Sequence, residues 1–181
     1  MTDQPSPFQP VPGVRLVAAS AGIRYPGRDD LCLMELPPGA RCAAVFTRNA
    51  FCAAPVVLAR RHLAAAAPRF LIINSGNANA GNGRRGLRDA AATCAAVAAL
   101  TGCRAEEVLP FSTGVIGEPL PVGRIEEALP GAVARLRENA WPEAARAIMT
   151  TDTVPKLSAR RFPAAGRTAV VSGMAKGAGM I

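Results

Sequence analysis

Histidine occurs once in these 181 residues, and aromatic side chains make up only 4% of them. Each scarcity excludes something. With His62 alone, in the run Arg60-Arg-His-Leu, no internal Ser/His/Asp or Cys/His arrangement can be assembled. His62 reads as a surface helix residue. Long apolar runs are missing too: a membrane span needs roughly 20 consecutive apolar residues, and every run here is shorter. The opening Met1-Thr-Asp-Gln-Pro-Ser-Pro has neither a basic n-region nor an apolar h-region, so no secretory signal is expected. The five cysteines (Cys32, Cys42, Cys52, Cys94, Cys103) form no CxxC pair and accompany no histidine cluster. An odd number of cysteines without metal-ligand spacing reads as buried, reduced thiols in a cytoplasmic protein.

What is present is globular in composition. Half the residues are hydrophobic, mostly Ala, Val and Leu, enough for one large domain or two small ones with a sizeable core. The net charge is +8, from 21 basic and 13 acidic residues. That excess fits nucleic acid, a solvated arginine-rich surface, or an acidic partner or anionic substrate. The arginines are scattered singly or in pairs, with no aromatic-basic stripe, which argues against nucleic acid. The other two readings stay open.

Strands and helices alternate without a repeating unit, so the fold class is α/β or mixed α+β. Residues 1–13 are Pro-rich and expected to form an extended lead-in to a domain over 14–181. Strands are expected at Val14–Ala19, with Val14, Leu16 and Ala18 on one face, and at Leu31–Leu36. Cys42–Phe46 is another short apolar run, and Ala54–Leu58 leads into a short helix over 59–66. Phe70–Ile73 is the clearest buried strand, ending in the small-residue loop Asn74–Gly83. A helix from about Arg85 places Leu87, Ala91, Cys94 and Ala98 on one stripe and stops at Gly102. Val108 opens a strand, Pro130 interrupts a helical segment over 122–138, and Pro142 starts another helix. Two strands, near 156–162 and 168–172, close the chain.

Four polar, Gly-containing segments follow strand or helix ends, where scaffolds present functional groups. Asn74–Gly83 suggests a nucleotide loop but fits no phosphate-binding spacing, and a tight strand-to-helix connection explains it equally. In Ser112-Thr-Gly-Val-Ile-Gly117, a Thr-Gly pair in a turn can aim one hydroxyl and one unobstructed N–H at the same point, as an oxyanion hole does. The alternative is an ordinary turn. Met149-Thr-Thr-Asp-Thr-Val-Pro-Lys156 gathers three hydroxyls and a carboxylate after a helix, to cap it or to bind a polar substrate. In Gly173-Met-Ala-Lys-Gly-Ala-Gly-Met180 one lysine stands among small residues, suited to a carboxylate or merely solvated. The chain breaks off just past this half-built loop, which reads as a fragment whose missing chemistry lies on a second polypeptide. The four segments together suggest a site that binds a small anion and stabilises an oxyanion but lacks its nucleophile.

Five motifs, in order, carry a resemblance. They are Ala43–Pro55, Ile73–Gly81, Ser112–Gly117, Ala147–Lys156 and Gly173–Met180. Over nearly the whole chain from about residue 14 it resembles the α chain of the ornithine acetyltransferases, the glutamate N-acetyltransferases of arginine biosynthesis. The resemblance implies the fold of the DmpA/ornithine acetyltransferase superfamily, N-terminal-nucleophile-like and completed by a β chain. It implies a precursor that cleaves itself before a threonine. That threonine heads the β chain and serves as nucleophile, its own α-amine acting as base. The acetyl group of N-acetylornithine passes to it and then to glutamate, with no bound cofactor or metal. Some members also accept acetyl-coenzyme A as a co-substrate. Members are usually α2β2 heterotetramers in the cytoplasm or, in eukaryotes, the mitochondrion, and a cytoplasmic protein is expected here. By the same resemblance Thr113 and Gly114 match the oxyanion-hole pair, and Thr150 and Lys176 match substrate-binding positions. Which of Thr150, Thr151 and Thr153 makes the contact stays open. Members continue several residues beyond Gly-Met-Ile before the cleavage point, whereas this sequence stops at Ile181. A self-processing amidohydrolase or aminopeptidase of the same superfamily, with water as acceptor, is the alternative.

Overall fold

The structure is a computed structural model that describes residues 8–179. Its frame is a four-stranded sheet ordered β1-β2-β3-β4, from Arg15–Ala19, Leu31–Glu35, Phe70–Asn77 and Val108–Val115. β1 and β2, and β2 and β3, pair antiparallel, while β3 and β4 run parallel. Alternation along β1 and β2 explains why the sheet is covered on both sides. Val17, Ala19, Leu31 and Leu33 point into one core with Phe70, Ile72 and Val108. Three helices close that core: α1 (Ala54–Ala65), α2 (Gly83–Thr101) and α3 (Val122–Val133). Leu16, Ala18 and Cys32 point the other way, onto α4 (Trp141–Ala147). Val14, Leu16 and Ala18 thus share a face, as the period-two pattern predicts. Beyond α4, β5 (Lys156–Ala164) and β6 (Arg167–Ala175) form a separate antiparallel hairpin. Leu157 and Met174 anchor it to the second core.

Several expectations need correction. The short apolar run Cys42–Phe46 lies in a loop and not in the core, its Val45 fully exposed. Ala54–Leu58 is the first part of α1 rather than a lead-in, since Pro55 sits in the first turn where its missing N–H costs nothing. Pro130 does not interrupt α3, which continues to Val133. At an exposed position near the helix end, its ring faces water and few hydrogen bonds follow to be lost. The buried stripe of α2 is Gly86, Ala90, Thr93, Cys94, Val97 and Ala98, so Ala91 is exposed. Gly102, in the left-handed conformation, does end that helix.

His62 is not a surface residue. It is buried against the sheet, its Nδ1 2.8 Å from the carbonyl oxygen of Val108. The cysteines are all free, but only Cys32 and Cys94 are buried; Cys42 is exposed and Cys52 and Cys103 are intermediate. Residues 8–13 form no helix or strand, and Phe8 packs on Trp141 with ring centroids 5.4 Å apart. The N-terminal residues read for a signal, and Met180 and Ile181, lie outside the described residues. Among the described residues no helix is long and apolar enough to cross a membrane.

Burial pushes the Cys32 and Cys94 thiols up to about 12, so neither forms thiolate near neutrality. Both should resist alkylation at mildly alkaline pH until the protein is unfolded. Intact mass of native and denatured samples after labelling checks this, and rapid native labelling of either would contradict the packing described.

Candidate active site

β3 and β4 are parallel, so their C-terminal ends open on the same edge of the sheet, the edge where α/β folds form crevices. The pair leaves no room for a side chain at Gly114. Gly76 and Gly114 face each other in register, and a Cβ on Gly114 would lie 2.2 Å from the Gly76 carbonyl carbon. Gly114 also has φ +136°, which side chains rarely adopt. Beyond this point the ladder slips, Asn77 facing both Thr113 and Val115. Such irregularities often aim side chains at sites. Thr113 and Gly114 therefore lie on a strand, not in the expected turn.

The asparagine-rich segment braces this edge. β3 runs on to Asn77 instead of ending at Ile73, because its polar side chains find buried partners. Asn74 accepts from the Ser112 hydroxyl at 2.5 Å and donates to the Asn77 carbonyl at 2.8 Å. Asn77 donates to the carbonyls of Glu118 and Pro119, and accepts from the Asn79 N–H at 2.8 Å. Asn79, fully buried with φ +46°, donates to the Gly86 carbonyl in α2. Of the two readings of Asn74–Gly83, the structural one accounts for these contacts.

A cavity of ≈ 380 Å³ opens at this edge and is lined by all four candidate residues, Thr113, Gly114, Thr150 and Lys176. They come from three separate pieces of chain. β4 brings the Thr-Gly pair, the turn after α4 brings Thr150 with Thr151, and the residue after β6 brings Lys176. Thr153 is not among the lining residues. The Thr113 hydroxyl has no protein partner among the described residues, and neither does the Lys176 ammonium. Ser75, also on the wall, is occupied: its hydroxyl donates to the Ala147 carbonyl at 2.7 Å.

Asp152 ties two of these pieces together. Its carboxylate accepts from Lys156 Nζ and from the Gly177 N–H, both at 2.6 Å, and from the Thr150 N–H at 3.2 Å. One side chain therefore sets both the Thr150 turn and the residue after Lys176. The Lys156 ammonium, then the Gly177 and Thr150 N–H groups, hold this carboxyl well below the usual carboxylate range. In the sequence this cluster reads as a cap or a substrate contact; the carboxylate instead acts as a clamp on the protein's own backbone.

The β1–β2 loop, residues 20–30, supplies a further wall, although its sequence is only turn-rich and polar. Asp30 is buried and accepts from the Ala21 N–H at 2.7 Å and the Ile23 N–H at 2.5 Å, which fixes the loop. Arg24 and Arg28 then line the cavity, and Arg28 Nη2 donates to the Met149 carbonyl at 2.7 Å. The available signal was the pair of arginines flanking Tyr-Pro-Gly between two strands. No group of His, Cys, Asp or Glu among the described residues could hold a metal ion.

Two consequences can be measured. Gly114→Ala should cost about 3 kcal/mol or more, since it meets backbone and a strained φ together; denaturant unfolding measures it, and a wild-type midpoint would contradict the close approach. The stabilisation by Asp152 belongs to its ionised form. It is fully present above about pH 5 and is lost as pH falls through the depressed folded value. The stability gap between wild type and Asp152→Asn should therefore be largest at neutral pH and close in acid; a gap independent of pH would remove Asp152 from this role.

The "ArgJ family" model matches residues 15–181. The chain is 63% identical over 172 residues to the arginine biosynthesis bifunctional protein ArgJ of Methylococcus capsulatus, covering 95% of this chain and 42% of that protein. It is 55% identical over 174 residues to the protein of the same name from Pseudomonas fluorescens, covering 96% and 43%. Among solved structures, ornithine acetyltransferase from Mycobacterium tuberculosis, complexed with ornithine, superimposes with a TM-score of 0.84 at 39% identity, covering 95% of this chain and 91% of that one. The arginine biosynthesis bifunctional protein ArgJ of Bacillus halodurans gives 0.85 at 35%, covering 94% and 89%. The chain thus spans less than half the length of the curated relatives. With a family match over almost all of it and a fold shared with solved relatives, this chain belongs to the ArgJ family.

Proposed function

We propose that this chain is the α chain of a glutamate N-acetyltransferase of arginine biosynthesis, which moves the acetyl group of N2-acetyl-L-ornithine to L-glutamate. The observation that carries this reading is the cavity's unfinished chemistry. Among the described residues, an unpartnered hydroxyl beside a glycine and an unpartnered ammonium face one space, yet no base adjoins a wall hydroxyl. His62 lies away from the cavity, hydrogen-bonded to Val108, and both Asp30 oxygens are occupied by backbone N–H groups. The names of the relatives and the ornithine complex of the Mycobacterium tuberculosis protein support the substrate class.

In this reading the nucleophile is a threonine that heads a second chain cut from the same precursor. Its hydroxyl oxygen attacks the acetyl carbonyl of N-acetylornithine. The carbonyl oxygen becomes an anion, received by the Thr113 hydroxyl and the Gly114 N–H. The amide C–N bond breaks and ornithine leaves with a proton on its α-nitrogen. The α-amine of glutamate then attacks the acetyl-threonine ester, the C–O bond breaks, and the threonine oxygen takes up a proton. Lys176 pairs with the α-carboxylate common to both amino acids, and Thr150 holds the substrate beside it. Acetyl-coenzyme A is a possible second donor, serving N-acetylglutamate synthesis. An α2β2 assembly in the cytoplasm is the proposed form.

The test begins with intact masses of every polypeptide in the purified full-length protein. A co-purifying chain that starts with threonine, and gains one acetyl group on incubation with N-acetylornithine, is the expected result. A single chain with no acetyl adduct would overturn the proposal. Thr113→Ala should lower kcat by about 10²–10³-fold, the usual effect of losing one oxyanion donor. Lys176→Met should raise KM for glutamate by about 10–100-fold, as loss of one charged hydrogen bond does. Unaltered kinetics in either variant would remove that residue from its role.

A further inference from the structure

The cavity carries more positive charge than one carboxylate can use. Among the described residues, Arg24, Arg28 and Lys176 line it, against a single wall carboxylate, Asp30. Asp30 forms no ion pair, since its oxygens accept from the Ala21 and Ile23 N–H groups. Arg24 is compensated by Glu118 at 2.9 Å. Two cations remain. Lys176 has no partner among the described residues, and the one hydrogen bond of Arg28 goes to the neutral Met149 carbonyl. Neither forms a salt bridge, although Asp29 and Asp30 follow Arg28 directly in the chain.

Two uncompensated cations on one cavity of ≈ 380 Å³ suit a ligand with two negative groups. A dicarboxylate can pair with both cations, whereas a monocarboxylate can pair with only one. We infer that Arg28 is a second anion subsite of this cavity and binds the side-chain carboxylate of the acceptor, a dicarboxylic amino acid. The inference rests on the acetyltransferase reading and extends it. Arginine suits the task because its planar guanidinium can meet a carboxylate with two parallel N–H bonds. The bond from Nη2 to Met149 fixes that plane before the ligand arrives, and the other N–H groups have no protein acceptor among the described residues. Met149 immediately precedes Thr150, so the same bond links this subsite to the turn at the other substrate contact. The subsite also discriminates. The neutral amide of glutamine cannot form this charged pair, so the guanidinium favours glutamate over it.

The experiment uses the complete processed protein, with Arg28→Met and Arg28→Lys variants. Three quantities are measured: ornithine release in a single turnover of N-acetylornithine, KM for glutamate and for its neutral analogue glutamine, and calorimetric binding of glutarate and of butyrate. Wild type should prefer glutamate and glutarate. Arg28→Met should raise KM for glutamate by about 10–100-fold and abolish both preferences, with a much smaller effect on ornithine release. Arg28→Lys should restore part of the preference. Equal losses in both half-reactions would overturn the subsite, because they would mean that Arg28 acts only by holding Met149. An unchanged glutamate-to-glutamine ratio would overturn it as well. Failure of the acetyltransferase reading is separately visible as absence of ornithine release by wild type. The calorimetry then decides the subsite alone, and equal affinities for glutarate and butyrate would overturn it.

Discussion

Two strands that approach too closely to carry side chains control the working edge of this molecule. At Gly76 and Gly114 the parallel β3–β4 pair is packed backbone to backbone, and a single added carbon at Gly114 would overlap its neighbour. The approach turns Thr113 and the Gly114 peptide toward a shared space and throws the ladder out of register one residue later. The asparagines around it then have defined duties. Asn74, Asn77 and Asn79 fasten the slipped strand ends to Ser112, to the Glu118–Pro119 carbonyls and to α2. A buried amide offers donors and an acceptor together, so three asparagines can satisfy an irregular backbone that hydrophobic residues would leave unpaired.

The rest of the cavity is assembled from pieces far apart in sequence, each fastened by one polar group. Asp30 sets the β1–β2 loop, Arg28 joins that loop to the end of α4, and Asp152 joins the turn after α4 to the segment after β6. The carboxylates face backbone N–H groups and Lys156, while Arg28 and Lys176 keep free donors toward the cavity. That division leaves the space positive without leaving any acid exposed in it. The overall charge of +8, ambiguous in itself, has at least one local counterpart here.

Much of the fold was legible because burial leaves a periodic trace. Alternation at Val14–Ala19, the apolar Phe70–Ile73 run and the Gly102 stop all correspond to elements of the structure. The errors share a cause: residue type does not report what lies opposite. His62 follows the exposed Arg61 in the chain, yet it is buried where its Nδ1 meets the Val108 carbonyl oxygen at 2.8 Å. Cys42–Phe46 is an apolar run in the sequence, yet it lies in a loop with Val45 fully exposed. Asn74–Asn77 has the composition of a loop and is a strand because β4 lies beside it.

The four site residues stand in motifs long enough to be matched position by position, so the sequence by itself determined the family, the order of elements and the identity of Thr113, Gly114, Thr150 and Lys176 as candidates. Their types follow from local chemistry, a hydroxyl, a bare peptide and a cation, which a sequence displays directly. Only the tertiary structure decided that these residues share one cavity, that Asp152 is a clamp, and that Arg28 stands uncompensated on the same wall. Charge balance is a property of distances between segments. Arg28 is separated from Met149 by 121 positions in the chain and from it by 2.7 Å in space, and no pattern along the chain encodes that contact.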